Sequence, residues 1–159
     1  MRLVVAGTLV LAFSFGSAAH ASDVRWTSTK TPLELLGMPA GEEEADDVLR
    51  LTCLKDGAVQ LGVGGYKSLG KGKGEPLSVT LASGTQSVTL SGKSTLSKNS
   101  EMTGAFELRA DLAPGETKPL IGVLTAGPPI RVSGSLKDNW TVKGLKAIVE
   151  RFSAGCVKT

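Results

Sequence analysis

The chain has 159 residues, 18 basic and 15 acidic side chains, one histidine and few aromatics. That length holds one ordinary domain with a real core, and a formal net charge of +3 gives no strong pull toward nucleic acid or an anionic membrane. The lone histidine, His20, falls in a leader. A mature chain without it has no imidazole, which excludes Ser-His-Asp and Cys-His catalysis and removes the commonest zinc and copper ligand.

The leader is legible at once. Arg2 follows Met1, and the run from Leu3 to Phe15 is apolar apart from Gly7, Thr8 and Ser14. Ala19-His20-Ala21 then supplies the A-x-A pattern of signal peptidase, so cleavage is expected between Ala21 and Ser22. The apolar run is shorter than the roughly 20 residues that span a bilayer. No cysteine stands at the cleavage point, so a lipid anchor is not expected. Removing 21 of the 159 residues leaves 138, with 17 of the 18 basic residues against 15 acidic ones. The expectation is a periplasmic or secreted chain with no transmembrane segment once mature.

Residues 22–47 read as an N-terminal arm. Thr31, Pro32 and Glu34 suit a short helical turn with a capping box, ended by Pro39. The arm closes on an acidic loop, Glu42 to Asp47, read as solvated. A calcium role there is left open, because the D-x-D-x-D-G pattern of an EF-hand is absent.

From Val48 the apolar period becomes two. Leu49, Leu51 and Cys53 open a strand, Asp56-Gly57 turns, and Val59, Leu61 and Val63 alternate on the return. Leu77, Val79 and Leu81 alternate before Ser83-Gly84-Thr85, and Val88 and Leu90 after it. Ala105 to Leu112 and Ile130 to Leu136 are further strands, Lys118 to Thr125 suits a short helix or a strand, and Trp140 to Val142 adds one short strand. Leu145, Ile148, Val149 and Phe152 fall at i, i+3, i+4 and i+7, which predicts an amphipathic helix stopped by Gly155.

Cys53 and Cys156 are the two cysteines, 103 positions apart. Outside the cytoplasm such a pair forms a disulfide. In the chain-entropy model a loop of about 100 residues stabilises the fold by about 4.7 kcal/mol.

Other motifs are incomplete. Gly65 to Gly72 comes within one residue of a phosphate-binding P-loop, but Gly72 replaces the Ser or Thr that follows the lysine. It reads as a mobile glycine-lysine hairpin loop. Its Lys67, Lys71 and Lys73 are candidate contacts for an anionic surface. Ser68-Leu69-Gly70-Lys71 matches S-x-x-K of penicillin-binding enzymes without the companion S-D-N and K-T-G. Asn139-Trp140-Thr141 has the form of a glycosylation acceptor, a role not expected after a bacterial-type leader. Base-stacking aromatics are too few for a nucleic-acid surface.

The strand Leu49-Arg50-Leu51-Thr52-Cys53, and the ending from Val142 through Gly144-Leu145 to Gly155-Cys156, resemble the bracketing motifs of small proteobacterial periplasmic proteins, among them the type VI secretion-associated TagO/VasI group. The resemblance covers about 20 residues at the level of an R-L-x-C motif and a Gly-Leu helix before a terminal Cys. It implies a structural disulfide and a non-enzymatic β-domain, and it carries over no catalytic residue.

These patterns predict a mainly β fold, an antiparallel β-sandwich or half-open barrel with one C-terminal α-helix packed on it. They divide the chain into a signal peptide (1–21), the arm with its acidic loop (22–47) and one disulfide-closed domain (48–159). No catalytic, cofactor or metal residue is assigned. The expected function is a non-catalytic periplasmic binding or accessory module of the bacterial cell envelope, meeting an envelope protein or anionic component and no nucleic acid. Two alternatives stand beside it. One is a structural protein on an anionic surface. The other is a histidine-free hydrolase using Ser68 and Lys71, or a carboxylate pair drawn from Glu101, Glu107 and Asp111.

Overall fold

The computed structural model describes residues 21–41 and 45–156. The leader therefore lies, apart from Ala21, outside the described residues, as do Glu42, Glu43 and Glu44 of the acidic loop.

Among the described residues, nine strands form one antiparallel sheet. They are β1 (Val24–Lys30), β2 (Leu33–Pro39), β3 (Leu49–Cys53), β4 (Val59–Tyr66), β5 (Pro76–Ser83), β6 (Gln86–Leu96), β7 (Phe106–Leu112), β8 (Ile130–Gly134) and β9 (Asp138–Trp140). Their spatial order is β1-β2-β3-β4-β7-β6-β5-β8-β9. Three helices interrupt them: α1 (Ser100–Thr103), α2 (Pro114–Thr125) and the C-terminal α3 (Leu145–Cys156).

The expected mainly β fold with a helix at its end is what forms, and its sheet is nearly closed into a barrel. Alternation drives this. Leu49 and Leu51, Val59, Leu61 and Val63, Val79 and Leu81, Leu108 and Leu112, and Ile130 and Val132 all turn one face inward and are buried. The buried faces of α2 (Leu120, Val123, Leu124) and α3 (Leu145, Ile148, Val149, Phe152) join the same core. The helices pack on each other, α2 also against β5, β6 and β7, and α3 against β1 and β2.

Strand β6 holds the two halves of the sheet together. It pairs with β5 from Gln86 to Lys93 and with β7 from Lys93 to Leu96. At the hand-over stands Gly92, where a β-carbon would collide with the backbone carbonyl of Arg109 and with Leu108.

The two edges of the sheet meet at Ser22 and Trp140, which form a parallel bridge. Ser22 N donates to Asn139 O at 2.6 Å, and Thr141 N returns a bond to Ser22 O at 3.1 Å. Val24 N donates to Thr141 Oγ1 and the Trp26 indole to Thr141 O, at 2.9 and 2.7 Å. Trp26 and Trp140 then meet edge to face, with centroids 6.4 Å apart.

Three expectations change, and one left open takes the helical alternative. The helical turn at Thr31 to Glu34 is instead the turn and start of the β1–β2 hairpin: Leu33 and Leu35 face inward while Glu34 pairs across to Thr52 of β3, a pattern of period two. The segment left open at Lys118 to Thr125 is helical from Pro114. The short late strand is Asp138–Trp140 rather than Trp140 to Val142. Gly155 does not stop α3 but lies within it, where a β-carbon would stand 2.7 Å from Leu33 Cδ2; it is a close-approach residue. Cys156 is therefore the last residue of the helix itself, and it is bonded to Cys53 with α-carbons 5.6 Å apart.

Candidate functional site

The seam opens on one side into a cleft of about 320 Å³. Val24, Pro39, Val48 and Ala105 supply apolar wall, and Ser22, Asp46, Tyr66, Lys67, Thr103 and Asp138 supply polar groups. Both carboxylates are already committed. Asp138 Oδ1 accepts from Ser22 Oγ at 2.8 Å and from Asn139 N at 2.7 Å, and its Oδ2 accepts from the Tyr66 hydroxyl at 2.6 Å and the Trp140 indole at 3.0 Å. Burial, and then the bond to Asp138, push the Tyr66 hydroxyl well above its usual titration range.

Asp46 was expected in a solvated acidic loop, and it is buried. Its Oδ1 accepts from Asn99 N, and its Oδ2 from the Ser97 and Thr103 hydroxyls, each at 2.7 Å. It thus gathers the connection between β6 and β7 around one carboxylate. Among the described residues, no group of three or more His, Cys, Asp or Glu side chains is placed to hold a metal ion.

Beside the cleft runs the glycine-lysine loop between β4 and β5. It was expected to be mobile, yet its backbone is fastened. Leu69 is fully buried, and the buried hydroxyl of Ser94 donates to Leu69 O while accepting from Gly72 N at 3.0 Å. Gly74 N donates to Ser94 O, and Ser94 N to Glu75 O, at 3.0 and 2.8 Å. Gly70, Gly72 and Gly74 all have positive φ, between 70° and 84°, and alternate with ordinary residues. One N–H of the turn meets a carboxylate, Lys73 N donating to Glu75 Oε2 at 2.9 Å, while those of Gly72 and Gly74 bind Ser94. The near P-loop of the sequence is thus a glycine-rich turn held by Ser94 and Glu75. Its Lys67, Lys71 and Lys73 are exposed, and none forms an ion pair among the described residues.

The hydrolase candidates are not brought together. Ser68 lies in the turn after β4 rather than on a helix, so it shares no helical face with Lys71. Glu101 is exposed on α1, Asp111 is exposed on β7 and bonded to Gln60, and Glu107 is buried between two arginines. Arg50 meets Glu107 Oε2 at 2.8 Å and Arg109 Nε meets its Oε1 at 2.9 Å. Asp47, next to Arg50, is raised above the usual carboxylate range, chiefly by burial.

Sequence reading missed Asp46, Asp138 and Tyr66, because each depends on partners more than 50 positions away. The glycines of β4, Gly62 and Gly64, were the one available signal for the Arg50–Glu107 pair, since glycine inside a strand marks close approach.

Together the fold and site define a small, disulfide-bonded antiparallel β-barrel with an internally satisfied polar seam and an exposed lysine loop. No family model, curated protein or solved structure matches the chain. Among the described residues, no helix is long and apolar enough to cross a membrane.

Proposed function

We propose that the chain is exported by the leader of residues 1–21 and works in the periplasm as a non-catalytic binding module of the bacterial cell envelope, with Lys67, Lys71 and Lys73 contacting an anionic component. The observation that carries this reading is the loop itself: its backbone is fastened at Leu69, Ser94 and Glu75, while three exposed lysines, none in an ion pair among the described residues, project from it. A platform fixed before binding loses less conformational entropy on contact. The commitment of Asp46, Asp138 and Glu107 to protein donors supports a binding role over hydrolysis, which needs an acid free to give up and regain its proton.

The test is co-sedimentation of the mature protein with isolated bacterial envelopes across a salt series. Contacts of this kind fade with screening, the Debye length being about 8 Å at physiological ionic strength. The triple variant Lys67→Gln, Lys71→Gln, Lys73→Gln should lose both the association and its salt dependence. Association unchanged in that variant overturns the reading.

A further inference from the structure

The expected cleavage point and the seam of the barrel meet at one peptide bond. Among the described residues, Ser22 is the first paired into the sheet, through Asn139 O and Thr141 N, and its hydroxyl rests on Asp138. Ala21, one residue earlier, is exposed.

We propose that removal of the leader creates a structural cation: the new α-ammonium of Ser22 locks the seam by binding Asn139 O and facing the Asp138 carboxylate. This rests on the export reading above.

The chemistry is simple. Hydrolysis of the Ala21–Ser22 bond consumes one water, leaving a carboxylate on Ala21 and an ammonium on Ser22. An amide with one N–H becomes a group with three, and it carries a full charge. One proton keeps the existing bond to Asn139 O at 2.6 Å. The charge then stands on the residue whose hydroxyl already touches Asp138 Oδ1 at 2.8 Å. Asp138 has four hydrogen-bond donors and no cation among the described residues. Charge-assisted bonds are roughly twice as strong as neutral ones.

Among the described residues, few other charged groups stand around this point. Asp23, next in the chain, accepts from Thr141 Oγ1 at 3.1 Å and adds to the attraction. Asp46 and Lys67 line the same cleft with opposite signs. Tyr66, bonded to Asp138 from β4, stays neutral through the range in which an α-amine titrates. The seam is thereby weaker before processing than after it.

The experiment compares chains ending at Thr159 with three defined starts: Ser22 with a free amine, Ser22 with an acetylated amine, and Ala21 with a free amine. The free Ser22 form should melt about 3–6 °C above the other two. In Asp138→Asn the difference between free and acetylated Ser22 forms should collapse. Equal melting of the free and acetylated forms, or a difference undiminished in Asp138→Asn, overturns the lock. A second measurement needs no substitution: the rate of acylation of the Ser22 amine is followed against pH. A midpoint above the usual α-amino value of about 7.7–8.0 supports the lock, and an ordinary midpoint overturns it. The intact mass of protein recovered from the periplasm separates the two ideas. A first residue other than Ser22 overturns the cleavage site, whereas the stability comparison judges the lock alone.

Discussion

Arg50 on β3 reaches Glu107 on β7 across the intervening strand β4, at 2.8 Å. The pair can cross only because β4 is paved with glycine there. A β-carbon on Gly62 would stand 3.3 Å from Glu107 Oε2, the free end of a side chain; one on Gly64 would stand 3.0 Å from Glu107 Cβ and 3.1 Å from Asp47 O, neither of which can yield. Gly64→Ala should therefore cost about 1–3 kcal/mol by overpacking, and Gly62→Ala clearly less. Glu107→Gln removes a carboxylate that is 3% exposed and leaves two arginines facing an amide. Arg50 keeps Asp47 at 3.7 Å and Arg109 is 44% exposed, so the loss should be about 2–3 kcal/mol, below that of a fully enclosed pair. Urea unfolding of the three variants ranks them.

Breaking the bridge between Cys53 and Cys156 should cost about 2–5 kcal/mol. Either single Cys→Ser change should have nearly the effect of both together. A thiol titration of the unfolded, unreduced protein should find no free sulfhydryl, and reductant should lower the melting temperature. Two titratable thiols, or a melt indifferent to reductant, contradict the bond.

The half-buried Tyr66 hydroxyl links stability to alkaline pH. Its value in the fold is raised above the unfolded value of 10.0, so the unfolded chain releases this proton first as pH rises. The contribution of Tyr66 is complete below pH 10 and is lost as pH climbs through the folded value. Tyr66→Phe should melt lower at pH 8 by the equivalent of about 1–2 kcal/mol, because Asp138 Oδ2 loses one of its two donors. Its deficit should shrink above pH 10. A deficit constant from pH 8 to pH 11 counts against this assignment.

Glu75 acts at the other end of the scale. The backbone N–H groups of Glu75 itself and of Lys73 hold its carboxyl below the ordinary value of 4.5. Because the folded value is the lower one, the contribution is full above pH 4.5 and disappears as pH falls through the folded value. Hydrogen exchange at the Lys73 amide reads this directly. Glu75→Gln should speed that exchange several-fold at neutral pH while amides of β4 are unchanged, and equal rates would show that the turn holds without this carboxylate.

What the sequence revealed and what it hid divide along physical lines. Strands β3 to β8 announce themselves because apolar residues alternate along them, and α3 because its buried residues repeat at helical spacing. Helix α2 is blurred by Gly115, Pro119 and Gly122, which weaken its period although Leu120, Val123 and Leu124 are buried. The β1–β2 hairpin is obscured by Leu36, an apolar residue on the outward side of its strand, beside a proline that also suits a helix start. The lysine loop shows in the composition, but the bond from Lys73 N to Glu75 does not, because it depends on backbone torsion rather than on residue spacing alone. The polar seam left no local trace: Ser22 and Asp138 are 116 positions apart.

The bond between Cys53 and Cys156 makes a ring of the intervening chain, and that ring contains Lys67, Lys71 and Lys73. Each is a trypsin-type site on an exposed loop between two strands that are each paired on both sides. A single nick at any of the three lysines cannot release a fragment. Both pieces stay tethered through the bridge, and the cut chain runs as one species on a non-reducing gel, splitting in two only when the bridge is reduced. The barrel can therefore lose continuity in that loop and still keep every strand at hand.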